Sequence, residues 1–219
     1  MRKALKIAGV VLGVLVLALV LWKMVADARY FSGYDPKAPL NARVAETVDT
    51  DGYTRIKFYF DGEGGDPVPT LMTLPLKYSG KLPLILFLHG IGQHKEFLDE
   101  ITTPFNAAGF AMACFDQHMQ GERKIRTKNP LAHAAAFRAR PHKTINDARR
   151  LMDYLENRPE IDPRRIYLVG ASYGAITGST LTAFDKRIRA SVLVYGGGDI
   201  NKLLDAPVIV NGFKKAAPG

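Results

Sequence analysis

Five consecutive apolar residues, Leu84 to Leu88 (LILFL), stop abruptly at His89-Gly90. A strand with one wet face alternates polar with apolar residues, so a run with no polar member belongs to a strand covered on both faces, as in a mostly parallel sheet flanked by helices. The rest of the chain follows that rhythm. Glu96 to Ala108 reads as a helix, Phe110 to Phe115 as a second buried strand, Ile166 to Val169 as a third, Ala175 to Ala183 as a helix and Ser191 to Tyr195 as a fourth parallel strand, with Pro207 to Val210 starting a fifth. From Thr144 onward Ile145, Ala148, Leu151, Met152 and Leu155 recur at helical spacing, with Thr144 and Asp147 placed as a capping pair. Ahead of these, Thr54 to Phe60 and Val68 to Leu74 flank the turn-rich DGEGGDP and suggest an antiparallel meander. The expected fold class is α/β, with the ligand crevice at the carboxyl ends of the parallel strands.

The 219 residues suit one sizeable domain. Of the net charge of +9, a net +4 falls in the first thirty residues, and no basic run is interleaved with stacking aromatics, so nucleic acid is not an expected partner. Cys114 is the single cysteine, which excludes an internal disulfide and argues against a cysteine metal cluster.

Ile7 to Trp22 is an uninterrupted run of apolar residues and glycine, preceded by Arg2, Lys3 and Lys6 and followed by Lys23. Sixteen helical residues span about 24 Å, short of the ~30 Å hydrocarbon core unless the flanking lysines snorkel. Residues 1–29 therefore read either as a retained single-pass anchor, with the domain extracytoplasmic, or as a signal cleaved near Ala28, after which the domain is secreted or periplasmic. Residues 30–43 read as a linker and 44–219 as the α/β domain.

Gly170-Ala171-Ser172-Tyr173-Gly174 matches G-x-S-x-G between an expected strand and an expected helix. In that context the glycines permit a sharp turn that lifts the Ser172 hydroxyl above the sheet, while the Tyr173 amide at the helix start points to the same place. His89-Gly90-Ile91-Gly92 follows the first buried strand, and its glycines let an amide face the crevice. His89 itself reads as a structural side chain of that loop.

The stretches LFLHGIGQHKE, FDQHMQGER, DARRLMDYLENRPEIDPRRIYLVGASYGA and VLVYGGGD resemble the α/β-hydrolase superfamily, in particular its dienelactone-hydrolase and acetyl-xylan-esterase-like members, over roughly residues 50 to 212. The resemblance implies a carboxylesterase-type serine hydrolase in which Ser172 attacks an ester carbonyl of a small-molecule substrate. It implies an acyl-enzyme, with the Ile91 and Tyr173 amides as the oxyanion hole and no metal or organic cofactor.

The superfamily order is nucleophile, acid, histidine, yet all five histidines, His89, His94, His118, His133 and His142, precede Ser172. Asp199, closing YGGGD, is the acid candidate, with loop capping as its alternative. Three explanations stay open for the base: a C-terminally incomplete or misread chain, which is preferred; His118 as a substitute base; or a catalytically silent domain that binds. A missing last strand is expected to leave an unpaired apolar sheet edge prone to aggregation.

Overall fold

The computed structural model describes residues 2–196, so Asp199 and the fifth strand expected at Pro207 to Val210 lie outside the described residues. Helix α1 (Arg2–Ala28) comes first, and its apolar stretch Gly9–Ala28 is long and apolar enough to cross a membrane and is not buried by the rest of the protein. The chain then runs in turns along the domain to β1 (Arg43–Asp49). This segment is held by side chains of a later helix, α3 (Pro130–Leu155). The Tyr34 hydroxyl donates to Asp153 at 2.7 Å, the Arg149 guanidinium stacks 3.5 Å from the Tyr34 ring, and Arg150 donates to the Pro39 carbonyl at 2.7 Å.

The remaining elements are β2 (Tyr53–Asp61), β3 (Pro67–Pro75), β4 (Leu82–Leu88), α2 (Phe97–Ala107), β5 (Ala111–Phe115), α3, β6 (Ile161–Ala171), α4 (Tyr173–Phe184) and β7 (Ile188–Val194). They form one seven-stranded sheet among the described residues, in the order β1-β2-β3-β5-β4-β6-β7. The β1-β2-β3-β5 neighbours are antiparallel and the β5-β4-β6-β7 neighbours parallel, so the sheet is mixed and mostly parallel around its centre.

Alternation along β4 and β5 supplies two cores. Leu84, Leu86 and Leu88 with Ala111, Ala113 and Phe115 face Ile145, Ala148, Leu151 and Met152 of α3, while Ile85, Phe87, Met112 and Cys114 face Leu98 of α2. This is the two-sided burial that the unbroken LILFL run requires. β7 is the edge strand of the described sheet, and Val192 and Val194 on it are exposed.

Strand β1, which the sequence did not reveal, is wholly exposed, so it carries no burial pattern from which it could be read. The expected start of the helix at Thr144 needs correction. Helix α3 starts fourteen residues before Thr144, at Pro130, where the Asn129 side chain accepts from the Leu131 amide at 3.0 Å and proline occupies the first turn. Its first turns are alanine-rich and solvated, which favours helix without an apolar stripe. Thr144 and Asp147 are thus buried mid-helix groups and cap nothing: Asp147 accepts from Arg123 at 2.7 Å and from the Glu63 amide at 2.7 Å.

Candidate active site

β6 ends at Ala171 and α4 begins at Tyr173, leaving Ser172 alone to make the turn. It does so at φ 53°, ψ −116°, a conformation that a residue with a side chain adopts at a cost of about 1–3 kcal/mol. The turn is pinned from both sides. The Ser172 amide donates to the Val194 carbonyl of β7 at 2.9 Å, and the Ser172 carbonyl accepts from Ala175 at 2.9 Å. Gly174 is the close-approach position: a Cβ there would collide with the Leu88 carbonyl and lie 2.8 Å from the His89 oxygen. The result is an exposed serine side chain at the carboxyl end of the parallel strands, with no hydrogen bond to another side chain among the described residues.

The loop after β4 comes to the same place. A Cβ on Gly90 would sit 3.4 Å from the Ser172 Cβ, so the Gly90-Ile91 turn lies against the serine. The Ile91 amide follows Gly90 in that turn and the Tyr173 amide follows Ser172, and neither donates to another described group. The Gly90 amide, in contrast, is held by the Gln93 side chain at 2.8 Å and the Gly92 amide by Gln120 at 2.8 Å. Ile91 and Gly92 are the exposed members of the loop. His89 is fully buried beneath it; its Nδ1 lies 2.9 Å from the Gly90 carbonyl, and burial lowers its pKa.

Sequence reasoning did not find what holds these loops still. Lys95 and Asp116 are both buried, and the Asp116 carboxylate accepts from the Lys95 amide at 2.8 Å, the Lys95 ammonium at 3.1 Å and the Glu122 amide at 2.8 Å. The same ammonium donates to Glu122 at 2.7 Å. Burial alone would raise the Glu122 carboxyl and lower the Lys95 ammonium, but hydrogen bonds from Lys57, Lys95 and Tyr59 hold Glu122 down to about 2, and those to Glu122 and Glu96 hold Lys95 above the ordinary lysine range. Gln117 donates to the His89 carbonyl at 2.7 Å. The loops after β4 and β5 are therefore one hydrogen-bonded body, and the signal for it was the polar cluster DQHMQGE directly after an apolar strand.

His118 is not brought to Ser172. It lines a cavity of about 330 Å³ with Arg43, Tyr59, Asp66 and Arg123, on the β2-β3 side of the sheet. Strands β5 and β4 stand between β3 and β6, a lateral separation on the order of 14 Å at ~4.8 Å per strand. None of the described histidines hydrogen-bonds the Ser172 hydroxyl.

Burial, reinforced by Arg123 and Lys143, lowers His118 to about 4. Its folded pKa then lies below its unfolded value near ~6.5, so the unfolded chain binds the proton more readily and stability falls as pH drops from about 6.5 to 4. Thermal unfolding of wild type against His118→Gln is expected to show the wild type losing ground across that window. Parallel curves would show that His118 titrates normally.

Around Tyr173 the site is cationic. The Arg140 guanidinium lies 4.1 Å from the centroid of the Tyr173 ring, and burial pushes the Tyr173 phenol up to about 12.

The profile of the family described as serine aminopeptidase, S33 (Hydrolase_4) matches residues 81–214. The protein described as "Putative hydrolase YtaP" of Bacillus subtilis (strain 168) is 24% identical over 147 residues, covering 60% of this chain and 49% of that one. The acetyl xylan esterase 1 of Thermoanaerobacterium sp. JW/SL YS485 superposes with a TM-score of 0.67 at 20% identity, over 85% of this chain and 63% of its own. For the acetyl xylan esterase of Paenibacillus sp. R4 the TM-score is 0.62 at 21% identity, over 79% and 57%. The chain thus spans about half the length of the curated relative it matches, and these structural likenesses establish the α/β-hydrolase fold.

Proposed function

Because this chain belongs to the serine aminopeptidase S33 (Hydrolase_4) family of α/β hydrolases, we propose that it is a membrane-anchored or exported serine hydrolase of carboxylesterase type acting through Ser172. The observation that carries this reading is the strained, positive-φ turn that presents Ser172 between β6 and α4, beside two unengaged amides. In the proposed reaction Ser172 Oγ attacks the ester carbonyl. The developing oxyanion is received by the amides of Ile91 and Tyr173, the alkoxide leaves as the alcohol, and water then releases the acid.

The family description names an aminopeptidase, whereas the structural neighbours are named esterases. An ester is favoured here because a free substrate amine asks for an uncommitted carboxylate. The buried carboxylates Asp116, in the loop after β5, and Asp147, inside α3, are engaged by Lys95 and Arg123, and the group that overlies Tyr173 is the cationic Arg140. Helix α1, with Trp22 near its far end, supports the membrane part of the reading.

A second reading, a hydrolase-fold protein that binds without turnover, is favoured by the absence of any histidine contact to Ser172 among the described residues. Labelling by a fluorophosphonate separates the two, since the probe needs an activated serine: its phosphorus is attacked by Oγ and fluoride leaves. The detergent-extracted full chain is expected to label, and Ser172→Ala to abolish the signal. A folded wild type that stays unlabelled supports the binding reading instead.

A further inference from the structure

Which way the Ser172 crevice faces follows from where α1 meets the domain. Trp22, Ala26, Arg29 and Tyr30 share a cleft with Ala135, Arg138, Ala139 and His142 of α3. Arg138 also pairs with Asp27 at 3.7 Å, and the Tyr30 hydroxyl donates to the Arg138 carbonyl. When the apolar run Ile7 to Trp22 spans a bilayer, Trp22 and the residues after it, to Ala28, lie at its surface, and so does whatever packs on them. That part of α3 is at the crevice end of the domain, because Arg140 overlies Tyr173, the residue after the nucleophile.

The surface exposed there has the composition of a lipid contact. From Arg123 to Asn146 the sequence carries seven Lys and Arg and no Asp or Glu, in a chain whose whole net charge is +9. Arg123 and Lys143 are committed to Asp147 and Asp66, and Arg140 is buried, which leaves Lys124, Arg126 and Lys128 exposed, with Arg138 exposed beside Asp27 at 3.7 Å. Among them stand two large apolar side chains, Leu131 at 81% and Phe137 at 64% exposure. The nearby carboxylates Asp27 and Glu122 are already paired, with Lys23 and with Lys57 and Lys95.

We infer that the crevice edge of the domain lies on an anionic bilayer surface, with Leu131 and Phe137 entering the headgroup region and Lys124, Arg126, Lys128 and Arg138 engaging acidic lipid headgroups. This rests on the proposed reading of α1 as a retained anchor. The arrangement combines apolar insertion with basic attraction, the two ingredients of an interfacial surface. It makes the substrate class of Ser172 an ester presented at the lipid-water interface.

The test uses the full chain in vesicles with and without phosphatidylglycerol, read by quenching of a single tryptophan by brominated lipid. Trp22→Phe removes the native signal. Phe137→Trp then reports the crevice edge, and Tyr78→Trp, in the exposed turn between β3 and β4 at the opposite edge, is the control. Quenching at position 137 is expected to exceed that at 78 by about threefold or more, to grow with phosphatidylglycerol, and to fall when Lys124, Arg126 and Lys128 are changed to glutamine. Equal, weak quenching at both positions in protein that floats with vesicles overturns the inference and assigns this basic face to a soluble acidic partner. Protein that does not float removes the anchor reading and the inference with it.

Discussion

Gly174→Ala is expected to destabilise the domain by at least about 3 kcal/mol and to remove fluorophosphonate labelling with it, while Gly178→Ala, four residues along the same helix, stays within about 1 kcal/mol of wild type. The difference lies in what each new methyl group meets. At Gly174 it would run into the Leu88 carbonyl, with the His89 oxygen 2.8 Å away, and both are backbone atoms at the end of a central strand. They cannot move without shifting the loop that carries Gly90 and Ile91. At Gly178 the nearest atom is the Leu168 Cδ2 at 2.9 Å, the tip of a side chain that can rotate, and alanine's helical preference offsets part of the crowding. Chemical denaturation in detergent micelles measures both. Similar losses for the two variants would mean that α4 packs on the sheet less closely at its start than the contacts imply.

Asp116→Ala is expected to cost about 3–5 kcal/mol, the range for breaking one side of a buried ion pair. Three donors converge on this carboxylate: the Lys95 amide, the Lys95 ammonium and the Glu122 amide. Removing it leaves the buried Lys95 amide and the partly buried Glu122 amide unpaired and Lys95 dependent on the more exposed Glu96 and Glu122. Because Gln117 and Gln120 tie the same loop to His89 and Gly92, the damage should reach the Gly90-Ile91 turn, and labelling at Ser172 should slow even in protein that remains folded. Asp116→Asn, which keeps the shape and loses the charge, should fall between the variant and wild type. A cost below about 1 kcal/mol for Asp116→Ala would show that water or a shifted Glu122 replaces the carboxylate readily.

The parts of the fold that were legible in the sequence are those whose residues are buried on a fixed period. LILFL is unbroken because Leu84, Leu86 and Leu88 enter one core and Ile85 and Phe87 the other, and Ile145, Ala148, Leu151 and Met152 mark α3 because they line the first core. The solvated pieces, β1 and the start of α3, bury too little to leave such a mark. The site divided in the same way. G-x-S-x-G is local, since glycine is needed within two residues of Ser172 wherever that turn occurs. His118, however, stood out only by its position after a strand, and strand order then placed it beside β2 and β3.

By itself, then, the sequence determined the α/β class, the sharp G-x-S-x-G turn at Ser172 and an apolar segment able to enter a membrane, because each is written in contiguous residues under local steric or solvation rules. The tertiary structure alone decided which loops touch Ser172, that Lys95, Asp116 and Glu122 lock them, and that the end of α1 packs on the crevice side of α3. Those relations join residues 20 to more than 100 positions apart. They depend on the lateral order of strands and on the desolvation of charges brought together by folding, and neither quantity is carried by any one stretch of the chain.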